Sequence, residues 1–273
     1  MFYRITVFLI VLGFIPAITG VAGAAAVDYF GYEEHGGMWC DAEKSKNNAE
    51  DDSQMCWAAA TSNILEWTKW GSPISYDDTD VIFTYFKDHW TNDGSIMEYD
   101  WDWWFDGTNP SQGWPGWSQV DVPGGGFWDP PYTFSDYYRR TSSDSAALSA
   151  IDDDLHDGYG VTLGICKEES GHALTCWGYR YDDETGDYLG VWVTDSDDSK
   201  YLENPPDRLR YYDVSYSGGQ WFLQNFYGTS GVWYIGEVQS LSPCPNPVPE
   251  PATIALVTFG ALGMFGAARR RRK

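Results

Sequence analysis

A cysteine, a histidine and an aspartate in this chain have the residue types and the order that nucleophilic catalysis requires. Cys56 opens an alanine-rich stretch whose apolar residues recur at helical spacing, so the sequence predicts a helix that Ser53 caps and Gly71 ends, with Cys56 in its first turn. The free N–H groups and macrodipole there lower the pKa of a thiol and can hold an oxyanion. A small buried side chain without chemistry is the alternative interpretation of Cys56.

His172 is the candidate base among four histidines. Residues 171–181 and 188–194 are predicted to form consecutive antiparallel strands, and Asp195 directly follows the second. Adjacent strands bring such positions side by side, so Asp195 would accept a hydrogen bond from the imidazole and fix its tautomer. A lone histidine at the start of a strand is more often structural, and that alternative stays open.

Periodicity and turn residues predict the remaining elements. Helices are expected at residues 77–89 and 143–156, and further strands at 159–166, 208–214, 221–226 and 232–238. Helices come first and an antiparallel sheet second, so the predicted class is α+β. Residues 28–50 are predicted to be irregular. The tryptophan-rich stretch from Trp90 to Trp128 is interleaved with Gly, Pro and Asp, which predicts a loop-rich segment that packs on the core or walls a groove for an extended peptide or sugar.

Three motifs together resemble a known family. Residues 52–67 (DSQMCWAAATSNILEW), 171–178 (GHALTCWG) and 193–197 (VTDSD) are similar to the nucleophile helix, histidine strand and acidic strand end of the IdeS/Mac type of immunoglobulin-degrading cysteine endopeptidases. The resemblance implies a papain-like fold, in which N-terminal helices, including the nucleophile helix, pack on an antiparallel sheet. It also implies that no metal or cofactor takes part, and that peptide bonds are hydrolysed through an acyl-enzyme on Cys56, with His172 as base and Asp195 as its orienting residue.

The resemblance adds two site residues. Lys46 lies ten residues before Cys56, where the family has an oxyanion-hole lysine, and Asp197 matches a second acidic residue near the histidine. Lys44 and Lys46 are equally compatible with a solvated pair of surface charges. The distance of 116 residues from Cys56 to His172 is shorter than in papain and the cathepsins. Nothing in the sequence indicates immunoglobulin as the substrate.

The N-terminus has the features of a secretory signal peptide at residues 1–26. Arg4 is the only charged residue before Asp28, an apolar run follows it, and small residues end the segment. Cleavage after Ala24 or Ala26 fits the small-residue rule. An uncleaved membrane anchor is the alternative, although the apolar run is short for a bilayer span.

The C-terminus resembles a PEP-CTERM sorting signal. A proline-rich linker at residues 243–251 contains Pro249-Glu250-Pro251, and residues 252–273 form an apolar stretch with a basic end. The resemblance implies processing by an exosortase-type enzyme and delivery to the envelope, the cell surface or the extracellular matrix. A permanent single-pass anchor is the alternative. Residues 27–242 are left as one peptidase domain of ordinary size.

Charge and cysteine content limit the partners. The formal net charge is −23, and the part between the two signals is more acidic still, which disfavours nucleic acid and leaves the sorting helix as the expected contact with a membrane. Export permits disulfides, but because the number of cysteines, five, is odd, at least one thiol cannot pair within the chain. How Cys40, Cys166, Cys176 and Cys244 pair is open.

The predicted function is an exported cysteine endopeptidase acting on a polypeptide of unknown identity. The same three residues would also serve an acyl transferase, in which an amine replaces water. A non-catalytic envelope or matrix protein that binds polysaccharide or cations through its aromatic and acidic surface is the third hypothesis. Asp-rich runs such as residues 77–80 lack the loop glycine and closing glutamate of an EF-hand.

Overall fold

A computed structural model describes residues 25–45, 52–71, 78–107, 119–142, 145–197 and 208–246 of the chain. Within these residues, five α-helices accompany eight β-strands. The helices are α1 (Gly31–His35), α2 (Cys56–Trp67), α3 (Thr79–His89), α4 (Met97–Asp106) and α5 (Ala147–His156). The strands are β1 (Ala26–Phe30), β2 (Tyr138–Ser142), β3 (Gly160–Lys167), β4 (Ser170–Asp182), β5 (Tyr188–Thr194), β6 (Arg210–Ser217), β7 (Gln220–Leu223) and β8 (Trp233–Leu241).

Six antiparallel strands close into a barrel. Their order is β4-β3-β8-β7-β6-β5, and β5 pairs back onto β4 to complete the ring. Strand β4 is 13 residues long, and one edge pairs with β3 and then β1, while the other edge pairs with β5. Register shifts between Cys176 and Gly178 and between Arg180 and Tyr181 interrupt the β4–β5 ladder, and such irregularities bend a strand. Strand β2 adds to the outside of the ring by pairing with β8.

The prediction of a papain-like α+β fold, with N-terminal helices and the nucleophile helix packed on an antiparallel sheet, is wrong. The strands form a closed barrel, because β4 has partners on both edges and the ring has no open end. Alternation along a strand predicts which face is buried, but it does not predict which strands pair. Ring closure depends on long-range pairings, including β3 with β8, that no local pattern specifies.

Several predicted boundaries also differ. Helix α2 begins at Cys56 and ends at Trp67, and its N-cap is Met55 rather than Ser53. Residues 28–50 were predicted to be irregular, but part of that stretch forms β1 and α1. Residues 97–106 contain neither Gly nor Pro, which explains why α4 forms inside the segment predicted to be loop-rich.

The interior contains two hydrophobic cores. One combines α5 with residues of the barrel strands. The other combines α2, α3 and α4 and is dominated by aromatic side chains. The tryptophans of α4 are fully buried in this second core, so of the two interpretations of the tryptophan-rich stretch, packing on the core holds for them. Those side chains are Trp101, Trp103 and Trp104.

None of the helices in the described part of the chain is long and apolar enough to span a bilayer. The predicted sorting helix at residues 252–273 lies outside the described residues, as does the predicted signal peptide up to residue 24.

Candidate functional site

The sequence-predicted residues Cys56, His172 and Asp195 are brought together where α2 meets the start of β4. Helix α2 packs against β4, and Asn63 of the helix donates a 2.9 Å hydrogen bond to Thr175 Oγ1 of the strand. Thr175 is also the first residue of β4 that pairs with β5, and it lies opposite Thr194, the last residue of β5. Asp195 therefore follows β5 at the end of the ladder where His172 lies.

Cys56 is the first residue of α2. No side chain caps this helix end, and its first turn carries no acidic residue. The N–H groups of the first turn therefore have no competing side-chain acceptor from a cap, and their partial positive charge lies at the thiol. This placement is the one that the alanine-rich pattern predicts.

His172 and Asp195 form a buried pair. His172 Nε2 lies 2.7 Å from Asp195 Oδ1, and Asp195 is only 1% exposed. Because Nε2 faces Asp195, Nδ1 is the ring nitrogen left to interact with the Cys56 thiol. Asp195 Oδ1 also accepts from the backbone N–H of Asp197 at 3.0 Å, which fixes the carboxylate.

The electrostatics of the three residues favour a thiolate–imidazolium pair. Burial raises the pKa of the Cys56 thiol, but the charge and hydrogen bond of His172 and the charge of Lys44 outweigh burial and lower that pKa below its ordinary value. Burial lowers the pKa of His172, and the negative charges of Asp195 and Cys56 outweigh it and raise the pKa. Burial likewise opposes the ionisation of Asp195, yet His172 and its hydrogen bonds hold the pKa of this carboxyl low.

Lys44 is a member of the site that the sequence did not single out. It is 3% exposed, its Nζ lies 2.8 Å from Asp197 Oδ2, and the same Nζ donates to the carbonyl of Ser53 at 3.0 Å. The sequence indicated Lys44 only as half of a solvated pair of surface charges with Lys46. Lys46, the predicted oxyanion residue, lies outside the part of the chain that the structure describes.

The segment that carries Lys44 is fixed by the same asparagine that anchors the helix. The backbone N–H of Ala42 donates to Asn63 Oδ1 at 2.8 Å, and the backbone N–H of Lys44 donates to the carbonyl of Ser196 at 3.0 Å. Ala42 and Lys44 are buried, whereas the residues between and beside them are half-buried. Burial thus alternates along this segment, as it does along a strand. The amino-acid types do not follow the alternation, because the second buried residue is a lysine, so the sequence alone did not predict that Lys44 is buried.

Asp197, predicted as a second acidic residue near His172, contacts Asp195 directly through its backbone and contacts Lys44 through its side chain. Its carboxylate pairs with Lys44, and its backbone N–H donates to Asp195. The turn after β5 thus supplies both the carboxylate that contacts His172 and the partner of the buried Lys44 within three residues.

Tyr227 is a second residue that sequence reasoning missed. Its hydroxyl donates to Asp195 Oδ2 at 2.5 Å and lies 3.4 Å from His172 Nε2. It belongs to the β7–β8 connection, where Asn225 and Tyr227 both have positive φ angles, 58° and 49°. Non-glycine residues adopt this conformation at a cost, and such strain concentrates at functional sites. No motif in the sequence indicated it.

A cavity of about 690 Å³ opens onto Cys56 and His172. Its walls come from the start of α2, residues 94–97 where α4 begins, the β3–β4 hairpin and β8. All five cysteines are free thiols, so Cys56 is not held in a disulfide. Among the described residues, no group of three or more His, Cys, Asp and Glu side chains is arranged to hold a metal ion.

Comparison with known proteins identifies the C-terminal tail. The model of the PEP-CTERM protein-sorting motif matches residues 247–272, which confirms the predicted sorting signal. The motif implies an exported protein with a membrane-anchored sorting tail, and exosortase recognises such motifs. No curated protein matches the chain, so the resemblance to IdeS/Mac enzymes has no support outside the three motifs.

Proposed function

We propose that the protein is an exported cysteine endopeptidase with Cys56 as nucleophile, His172 as base and Asp195 as the residue that orients the histidine. The observation that carries this proposal is the 2.7 Å contact between His172 Nε2 and Asp195 Oδ1, beside a thiol at a helix N-terminus. A nucleophile, a base and a group that orients the base are the three parts that acyl transfer requires.

The chemistry follows from the roles of these groups. The Cys56 thiolate attacks the carbonyl carbon of a peptide bond, and the tetrahedral oxyanion accepts hydrogen bonds from the backbone N–H groups at the start of α2. The charge of Lys44 favours the thiolate form of Cys56 that makes this attack. His172 then protonates the leaving amine, and the C–N bond breaks to give a thioester. Water attacks the thioester after His172 removes its proton, which releases the acid and regenerates the thiol.

Location and activity are linked by the sorting tail. The motif at residues 247–272 supports a protein that crosses the membrane before it acts. We place its activity in the envelope, at the cell surface or in the extracellular matrix, after an exosortase-type enzyme has removed the tail.

The test measures the reactivity of Cys56 and needs no substrate. Purified full-length protein and its His172→Ala variant are labelled with iodoacetamide across a pH series, and each modified cysteine is quantified by mass spectrometry. The expected result is labelling of Cys56 that persists well below a free-thiol pKa of about 8.5 and is shifted upward by His172→Ala. Cys176, which is buried in the same strand as His172, is the internal control, since burial raises its pKa. If the pH dependence of Cys56 labelling is the same in wild type and His172→Ala, the endopeptidase proposal is wrong and a non-catalytic binding protein is favoured instead.

A further inference from the structure

The wall of the cavity beside Cys56 is acidic. Glu169 and Glu237 line it, and no lysine or arginine does so among the described residues. Trp57, Met97 and Ile165 contribute apolar surface to the wall, alongside uncharged polar residues such as Ser95 and Gln220.

Glu237 is held in a fixed position by the fold. It lies opposite Gly164 in the β3–β8 ladder, and a Cβ at residue 164 would come within 2.7 Å of Glu237 Cγ. The absence of a side chain at Gly164 therefore makes room for the glutamate. Glu237 Oε2 lies 2.7 Å from Arg140 Nη2, and Oε1 accepts from Gln239 Nε2 at 2.7 Å. A side chain held by two partners and 16% exposed is preorganised to meet a ligand.

Arg140, the cation that pairs with Glu237, does not neutralise the wall. Arg140 also pairs with Glu98, with 2.8 Å between Nη1 and Oε2, so one guanidinium serves two carboxylates. Glu169 adds a further negative charge at the β3–β4 turn. The cavity thus has an excess of negative charge next to the thiol.

A third carboxyl, that of Asp100, lies behind the same wall without lining the cavity. Asp100 is fully buried, and its Oδ1 accepts a 3.3 Å hydrogen bond from Ser95, which lines the cavity. Its Oδ2 has no hydrogen-bond partner in the described structure. Burial raises the pKa of Asp100 well above its usual range. Burial therefore favours the neutral form of this carboxyl, so Asp100 is not counted among the negative charges of the wall.

We propose that the cavity binds a lysine or arginine side chain next to the scissile bond, and that Glu237 is the residue that selects it. This proposal rests on the proposed endopeptidase activity and names the substrate class of the same site. The aliphatic stem of the substrate residue packs on the apolar wall, and its ammonium or guanidinium group pairs with the Glu237 carboxylate.

The first experiment measures the charge preference of Cys56 with two methanethiosulfonate reagents of similar size, one with a trimethylammonium group and one with a sulfonate. Labelling rates at Cys56 are compared for the wild-type protein, Glu237→Gln and the control Glu184→Gln, which alters an exposed acid in the β4–β5 turn. We expect the cation-to-anion rate ratio to fall roughly fivefold in Glu237→Gln, and to stay unchanged in the control. An unchanged ratio in Glu237→Gln would overturn the proposal.

The second experiment does not depend on the variant folding. Wild-type protein is incubated with a mixture of synthetic peptides, and the cleaved bonds are identified by mass spectrometry. Enrichment of Lys or Arg beside the cleaved bond is expected, and cleavage without that enrichment would refute the basic preference. Failure of the basic preference can be told apart from failure of the proposed function. If labelling of Cys56 by iodoacetamide depends on His172 but cleavage shows no preference for Lys or Arg, only the basic preference is wrong and the proposed endopeptidase activity stands.

Discussion

The hydroxyl of Tyr227 and the imidazole of His172 contact opposite oxygens of one carboxylate. Tyr227 donates to Asp195 Oδ2 at 2.5 Å, and His172 Nε2 lies 2.7 Å from Oδ1. Asp195 is thereby fixed from both sides, and its orientation fixes the histidine. Burial and the negative charge of Asp195 raise the pKa of Tyr227, so the phenol stays protonated and keeps donating.

Tyr227→Phe removes this donor and keeps the ring. The hydrogen bond stabilises the anionic form of Asp195, so its loss raises the pKa of that carboxyl and moves the acid limb of Cys56 labelling to higher pH. A hydrogen bond to a charged group contributes about 1.5–3 kcal/mol, so we expect the labelling rate on the acid side to fall by tenfold or more. The measurement is the pH profile of Cys56 alkylation. Tyr216→Phe, which alters an exposed tyrosine of β6, is the matched control.

A second prediction concerns the order of Cys56 pKa values in two variants. Imidazolium formation at His172 lowers the pKa of Cys56, and Asp195 in turn favours the imidazolium. Removing the histidine removes the whole effect, whereas Asp195→Asn removes only part of the proton affinity of the ring. We therefore expect the pKa of Cys56 to increase from wild type to Asp195→Asn and again to His172→Ala.

Titration of the thiolate absorbance in the ultraviolet measures this order. The contribution of the other four thiols is subtracted with a Cys56→Ala protein. If Asp195→Asn raised the pKa of Cys56 as far as His172→Ala does, the histidine would have no effect without its carboxylate, and the graded model would be wrong.

Sequence patterns predicted those site residues that belong to, or directly follow, a helix or strand with a clear local pattern. Cys56 is found from the alanine-rich helix that it opens, and His172 and Asp195 are found from two consecutive strands that pair directly. Lys44 and Tyr227 come from an extended segment and a loop that reach the site only through tertiary contacts, such as the hydrogen bonds of Asn63. Local periodicity has no information about such contacts.

The same distinction explains the fold. Strand β5 coincides with the predicted residues 188–194, because its alternation and flanking turn are local signals. The barrel depends on β4 pairing with three strands and on β3 pairing with β8, which lies about 70 residues later in the chain. Helix propensity and strand alternation predict elements, and an open sheet and a closed barrel can contain the same elements.

Lys44 is predicted to matter for both stability and reactivity, and a double mutant separates the two. Lys44→Met leaves the largely buried Asp197 carboxylate without its cation, and breaking a buried pair in this way costs about 3–5 kcal/mol. Lys44→Met with Asp197→Asn removes both charges and is expected to recover most of that stability in urea unfolding. The Lys44 charge lowers the pKa of the Cys56 thiol. We therefore expect slower labelling of Cys56 than in wild type both in Lys44→Met and in the double mutant. Full recovery of both properties would restrict Lys44 to a structural role.

The last prediction concerns the start of the mature chain. Strand β1 begins at Ala26, which pairs with Asp182, and the backbone N–H of Ala25 donates to Asp183 Oδ1 at 2.9 Å. The carbonyl of Ala25 accepts from the backbone N–H of Asp183 in return. Cleavage after Ala26 would remove these contacts, whereas cleavage after Ala24 keeps them.

Cleavage after Ala24 also converts the N–H of Ala25 into an ammonium group beside the Asp183 carboxylate, which strengthens the contact. We expect intact-mass and N-terminal peptide analysis of the exported protein to give Ala25 as the first residue. Asp183→Asn should leave the cleavage position unchanged and lower the melting temperature slightly, because an exposed ion pair contributes about 1 kcal/mol or less. A mature chain that begins at Val27 would mean that β1 forms without its first pair, and it would reject the role assigned to Asp183.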